Sequence, residues 1–299
     1  MIDQQSDVPA TQSPTATSAV PIVSAAGDGD SINQIAEAYV NKHIVVVGIL
    51  CAISIAVLAY VYILTGTIVQ PFILIAMAYA LGFYIIYQAA ERQFMQELAK
   101  ALGFTYVGTE DASMRPAAVT IFQRGHSNRV RDVIRGTLDT HAVCVYLFQF
   151  TVGYGKSART YTDSVFEVQF DGTFPHIILS NAYTSGFGFL GAAAKEERVK
   201  LEGDFSKYFD LQIEKGLETE AYEIFTPDVM QDLIPYAQTF AFEMYADTLY
   251  ICAKDLLSKK EQYLAMLQFA EYLTAKLAPV ALSIRPSVDA IHQEEQEVR

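Results

Sequence analysis

From Ile44 to Ala90 the chain carries no Asp, Glu, Lys or Arg. Within that window Ile44 to Leu64 is a run of 21 apolar and small residues, and Ile68 to Tyr87 is a second of 20. A helix rises ~1.5 Å per residue, so ~20 such residues cross a hydrocarbon core ~30 Å thick. Thr65-Gly66-Thr67, followed by Gln70-Pro71, marks a tight break between the runs. Proline is tolerated in a first helical turn, where its missing N–H would be unpaired anyway. The competing reading is a buried core hairpin, but two adjacent uncharged spans of this length exceed an ordinary core helix. A cleaved signal peptide fits worse, because the first 40 residues hold no Lys or Arg and the apolar run is too long and too late. The sequence therefore predicts two transmembrane helices, at about 44–64 and 68–87.

Flanking charge sets the expected orientation. Lys42 precedes the first span, Arg92 and Lys100 follow the second, and the turn between them has no basic residue. Both ends are then expected in the cytoplasm, with Tyr39, Tyr84 and Tyr87 as headgroup anchors. The three cysteines, Cys51, Cys144 and Cys252, sit in apolar runs and read as buried free thiols in a reducing compartment.

The rest of the chain divides around the spans. Residues 1–33 are rich in Ser, Thr, Pro, Ala and Gln, with four acidic and no basic side chains, and read as a disordered polar tail. Residues 34–90 hold the transmembrane hairpin, 91–285 a cytoplasmic domain, and 286–299 a frayed acidic end carrying Glu294, Glu295 and Glu297. The hydrophobic content of 52% is inflated by the uncharged window. The net charge of −13 is uneven: residues 88–135 carry +2 and residues 195–299 carry −9. An acidic chain of this kind is a poor partner for nucleic acid. A mildly basic surface next to the spans would suit anionic lipid heads.

Hydrophobic period gives a coarse map of the domain. Gln88 to Leu102 continues the second span as an amphipathic helix stopped by Gly103. Short strands are expected at 104–107, 118–122, 130–138, 141–150, 161–170, 176–179, 198–201 and 209–213. Helices are expected from Thr219, from Thr226-Pro227-Asp228, and over 258–277. A hairpin is expected around Ala246-Asp247, between strands at 239–245 and 248–253. Hairpins and helices mix without βαβ alternation, so the fold class is α+β: a two-helix transmembrane hairpin followed by antiparallel sheet and helices.

Signatures of chemistry are sparse. Gly155-Lys156-Ser157 lacks the glycine that a phosphate loop needs five positions earlier, where Phe150 stands, and it leads into a strand rather than a helix. That loop nevertheless gathers Tyr154, Lys156, Arg159 and Tyr161, a set able to contact an anion or lipid heads. Phe187, Phe189 and Leu190, spaced by glycines, could form an apolar lip against a bilayer or partner, although packing into the core is the commoner fate of such a loop. None of the five histidines (His43, His126, His141, His176, His292) has metal-ligand spacing to a Cys or carboxylate. The pairs Glu218/Glu220 and Asp228/Asp232 read as solvated helix acids rather than a catalytic couple. No cofactor or metal is expected.

An ordered set of motifs carries a resemblance. Arg198-Val199-Lys200-Leu201-Glu202, Phe205-Ser206-Lys207-Tyr208-Phe209, Glu220-Ala221-Tyr222 and Phe225-Thr226-Pro227-Asp228-Val229-Met230 are followed by Phe240-Ala241-Phe242 and Leu249-Tyr250-Ile251. Together they resemble the C-terminal half of an uncharacterised bacterial membrane-protein family that places two adjacent transmembrane helices before this domain. The likeness covers about 60 residues well and the hairpin at 141–170 loosely. It departs at Tyr222, where the family has an Arg before the Tyr, and in the Ser185 loop, which stands in place of a longer helical insert. The resemblance implies bacterial origin and membrane anchoring, and carries over no catalytic residue.

The expected function is a bacterial inner-membrane protein whose cytoplasmic domain binds a protein partner or acts as a scaffold. Its partners would be the lipid bilayer and a protein of unknown identity, with a homo-oligomer as a further option. The alternative is a membrane-anchored enzyme whose site is assembled from residues distant in sequence. Transport is the weakest reading, because neither span contains an ionisable group to mark a pathway.

Overall fold

A computed structural model describes residues 31–66, 69–181, 196–201, 203–237, 239–253 and 255–297. The predicted lip residues Phe187, Phe189 and Leu190, and His292's side chain, lie outside the described set.

Helix α1 (Ile32–Lys42) starts inside the stretch read as tail. Its capping box explains why: the Ser31 hydroxyl accepts from the Gln34 N–H at 3.3 Å, and the Ser31 N–H donates to Gln34 Oε1 at 2.6 Å. Ile32, Ile35 and Ala36 are buried, so this turn belongs to the domain core before the chain reaches the spans.

Helix α2 (Ile44–Thr65) ends on Gly66, whose φ of 66° supplies the left-handed cap. Helix α3 (Val69–Leu102) runs 34 residues without a break, ~51 Å at ~1.5 Å per residue. The apolar window of neither helix is buried within the fold. Ser54 and Tyr79 share a 3.2 Å hydrogen bond between the two helices, so the hairpin is held by a polar contact as well as packing. The far half of α3 changes character: Ala90, Phe94, Met95, Leu98 and Ala99 are buried at helical spacing. Gly103 (φ 70°) ends α3 in a Schellman turn, with the Phe104 N–H on the Ala99 carbonyl at 2.8 Å.

A seven-stranded antiparallel sheet follows: β1 (Thr105–Glu110), β2 (His126–Leu138), β3 (His141–Val152), β4 (Arg159–Asn181), β5 (Glu196–Val199), β6 (Phe209–Glu214) and β7 (Phe240–Ala253). The order is β1-β2-β3-β4-β6-β5, with β7 on β4 as well. Strand β4 is the spine. Its first half pairs with β3 (Val152↔Arg159 to Val143↔Val168), its second half with β6, and β7 runs along both halves.

Here the structure corrects three strand expectations. The runs at 161–170 and 176–179 are one strand, and the hairpin around Ala246 is one continuous strand, β7. Ala246 has φ 54° and sits where the β4–β7 register shifts, so the apparent turn is a bulge. The extra residues of this irregularity lie on β4, where Gln169 to Phe174 faces Thr248 to Ala246 and Phe174 to Ile177 faces Ala246 to Met244, and both strands change phase there. Phe240, Phe242 and Met244 face one core before it, and Leu249, Ile251 and Ala253 face the same core after it. Strand β4 flips in step, from Phe166, Val168, Phe170 and Phe174 to Ile177 and Leu179. The expected strand at 118–122 is a 3-10 turn, Thr120–Gln123.

Both faces of the sheet are covered. The inner face carries α1, the far half of α3, the short helices α4 (Phe205–Tyr208), α5 (Glu218–Ile224) and α6 (Pro227–Leu233), and the long helix α7 (Lys260–Glu297). Helix α7 continues through Pro279 and Pro286, well beyond the 258–277 range and through the stretch read as a frayed acidic tail. Ala281, Ile284 and Val288 stay buried there, which offsets the hydrogen bonds the prolines remove. A Cβ on Gly172 of β4 would lie 2.6 Å from the Ala281 Cβ, so α7 and the sheet touch backbone to backbone. The outer face is covered by the β1–β2 connection, with Val119, Ile121 and Phe122 packed against Tyr146, Phe148, Phe150 and Tyr250.

Candidate functional site

Two regions carry the polar side chains that could act: the tip of the β3–β4 hairpin and the outer face of the sheet.

The tip is built by glycines. Gly153 (φ 80°) and Gly155 (φ 58°) turn the chain through a 3-10 segment, Gly155–Ser157. Tyr154 is 79% exposed and its ring stacks on His126 of β2 at 4.6 Å and 11°. His126 Nε2 lies 2.8 Å from the Gly153 carbonyl, so this nitrogen carries the proton and donates. Lys156 and Arg159 are exposed on the same tip, and Arg129 of β2, opposite Gln149, is exposed beside it. Among the described residues these three cations form no ion pair. Tyr161 departs from the expected set: it stacks on Phe150 at 5.6 Å and packs into the outer-face core. Arg129 was missed because it is remote from the loop in sequence, and only the β2–β3 register brings it there.

On the outer face, each buried carboxylate has a partner from the covering segment or a neighbouring strand. Arg115 Nε lies 2.8 Å from Glu167, and Arg115 also reaches Glu110 at 3.1 Å. Tyr146 donates to Glu167 at 2.7 Å, under the Arg115 guanidinium. Arg124 pairs with Asp163. Burial lifts Asp163 to about 6, against the pull of Arg124. Burial likewise raises Glu167 above the usual carboxylate range, with Arg115 opposing. It also pushes the Cys144 thiol up to about 12 and raises Cys252, so neither is a ready nucleophile.

The most enclosed group is Glu243 on β7, fully buried. It accepts from the Thr120 N–H (2.7 Å), the Thr120 hydroxyl (2.6 Å) and His176 Nε2 (2.7 Å). The other imidazole nitrogen, Nδ1, lies 2.8 Å from Glu196 on β5. Burial alone would lower the His176 pKa, but Glu243 and then Glu196 outweigh it and raise it above the ordinary histidine range. The result is an imidazole clamped between two carboxylates. One signal for it is in the sequence, a lone Glu in the apolar run Phe240 to Met244, since a buried carboxylate requires a partner.

A cavity of about 190 Å³ opens on this face beside Arg135, Cys144, Glu167, Gln169 and Thr248. Among the described residues no cluster of His, Cys, Asp and Glu has the arrangement of a metal site. Of the acid pairs read from the sequence, Asp232 binds Lys276 at 2.6 Å and Tyr272 at 2.8 Å, tying α6 to α7, and Glu218 accepts from the Gly216 N–H at 2.9 Å.

No family model matches the chain, and no curated protein matches it. Among solved structures it is similar to the crystal structure of the mycobacterial trehalose monomycolate transport factor A, TtfA, at a TM-score of 0.46 and 6% identity. That likeness covers 61% of this chain and 92% of the other. At this level it says nothing of what this chain binds.

Proposed function

We propose that this chain is a bacterial inner-membrane protein in which α2 and α3 span the bilayer and the α+β domain is a cytoplasmic, non-catalytic binding or scaffold module for a protein partner. Bacterial origin rests on the motif resemblance, and the cytoplasmic side on Lys42, Arg92 and Lys100 flanking the spans. The observation that carries the reading is α3 itself. One unbroken helix is exposed and apolar over its first half and buried in the domain core over its second, so anchor and domain are a single body. Leaving some twenty large apolar side chains of α2 and α3 in water would expose far more than the few hundred Å² of patch that soluble monomers carry.

A binding role is favoured over catalysis because the buried ionisable groups of the outer face are committed to one another, in Arg–carboxylate and His–carboxylate contacts. In-cell crosslinking of the full chain, with identification of what is joined to residues 91–285, tests it. A reproducible second protein is expected. Crosslinks confined to copies of this chain would overturn the partner-binding reading.

A further inference from the structure

The register between α3 and the sheet fixes where the hairpin tip points. Near the end of α3, Phe104 lies against Gly136 of β2. Farther back toward the spans, Arg131 of β2 bonds Gln88 and pairs with Glu91 at 3.0 Å, and Tyr106 donates to Asp132 at 2.8 Å. Strand and helix therefore run the same way, and falling residue numbers on β2 lead toward the apolar half of α3. From Arg131 back to His126 is five residues, about 16 Å at ~3.3 Å each. His126 pairs with Thr151, so the β3–β4 turn lies at that same end. Gln88 is already next to Tyr87, where the expected second span closes. The β3–β4 tip therefore lies at the end of the sheet that faces the apolar half of α3.

We infer that the β3–β4 tip is a second membrane contact, in which Arg129, Lys156 and Arg159 bind the phosphates of anionic lipid headgroups and Tyr154 inserts its ring at the interface. The inference rests on the reading of α2 and α3 as bilayer spans. Chemistry agrees with the geometry. Among the described residues the three cations lack carboxylate partners, in a chain of net charge −13, and the loop from Gly153 to Ala158 contains no acid. Tyr154 is a 79% exposed amphipathic ring held upright by the His126 stack, the kind of side chain that sits at headgroup level. Val152, 45% exposed, adds an apolar shoulder. Basic side chains near an anionic leaflet are attracted over about a Debye length, within reach of this tip.

The test uses the full chain in vesicles, with a bimane label at one of two positions. Native Cys51, exposed on α2, reports the span, since Cys144 and Cys252 are buried. Ser157→Cys in a Cys51→Ser background reports the tip. In equal phosphatidylcholine and phosphatidylglycerol, acyl-chain spin-labelled lipid should quench position 51 and headgroup spin-labelled lipid should quench position 157. Quenching at 157 should be lost in phosphatidylcholine alone, and lost in R129E/K156E/R159E while position 51 stays quenched. Position 157 unquenched with 51 quenched overturns the tip contact and leaves the anchor standing. Neither position quenched overturns the anchor and the tip together. Quenching at 157 that ignores both lipid charge and the triple substitution overturns the anionic-headgroup assignment.

Discussion

His176 is the residue on which the far end of the sheet turns. It joins Glu243 of β7 to Glu196 of β5, two strands that do not pair with each other. Replacing one member of a buried charged set leaves the others uncompensated, so His176→Gln should destabilise the domain by roughly 3 kcal/mol. The pH dependence has a definite sign. The folded pKa lies above the unfolded value of about 6.5, so the stabilisation is complete below that value and is lost as pH rises through the folded pKa. Urea melts of the detergent-solubilised chain should show a wider gap between wild type and His176→Gln below pH ~6.5 than in mild alkali. A gap that does not change with pH would remove the imidazolium from the account. Only the lone Glu243 in its apolar run was legible; its partners were not, because Thr120 and Glu243 are 123 residues apart and no periodicity links them.

At the scale of elements, the bulge at Ala246 is the testable feature. A non-glycine residue at φ 54° is strained, and glycine relieves that. Ala246→Gly should raise stability by about 0.5–1 kcal/mol in thermal melts, and an unchanged or lowered melting point would contradict the left-handed backbone at this position. Deleting Ala246 should be far worse, since it would turn Leu249, Ile251 and Ala253 out of the inner core. The approach of α7 to β4 makes a second prediction. Gly172→Ala places a methyl 2.6 Å from the Ala281 Cβ, and overpacking of that kind should cost about 1–3 kcal/mol, read as a lowered urea midpoint. An unchanged midpoint would mean that α7 is not seated as described. Strand identity was legible from the run apolar on both faces at 141–150 and the alternation at 161–170, and the stripe of α7 from Leu264 to Leu277. What misled was punctuation: Ala246-Asp247 broke the alternation and read as a turn, and Pro286 read as the start of a tail. In both places the burial of later residues, a tertiary matter, carries the element on.

At the scale of the molecule, the two long apolar helices were readable because helix length and apolarity depend only on local composition. Their coupling to the domain was half readable: the amphipathic run from Gln88 to Leu102 is in the sequence, but the Arg131 contacts to Gln88 and Glu91 that set the domain's angle are not. The charged tip was visible as Tyr154, Lys156 and Arg159, while Arg129 and the direction of the hairpin required the register. The account stands on α3 being at once a bilayer span and a core helix. Alkaline phosphatase fused after Arg299 or inserted at Gly66 tests this most directly in intact cells. The account predicts an inactive fusion at the C-terminus and an active one at the turn, both in the membrane fraction; an active C-terminal fusion, or a chain recovered as soluble protein, would contradict it.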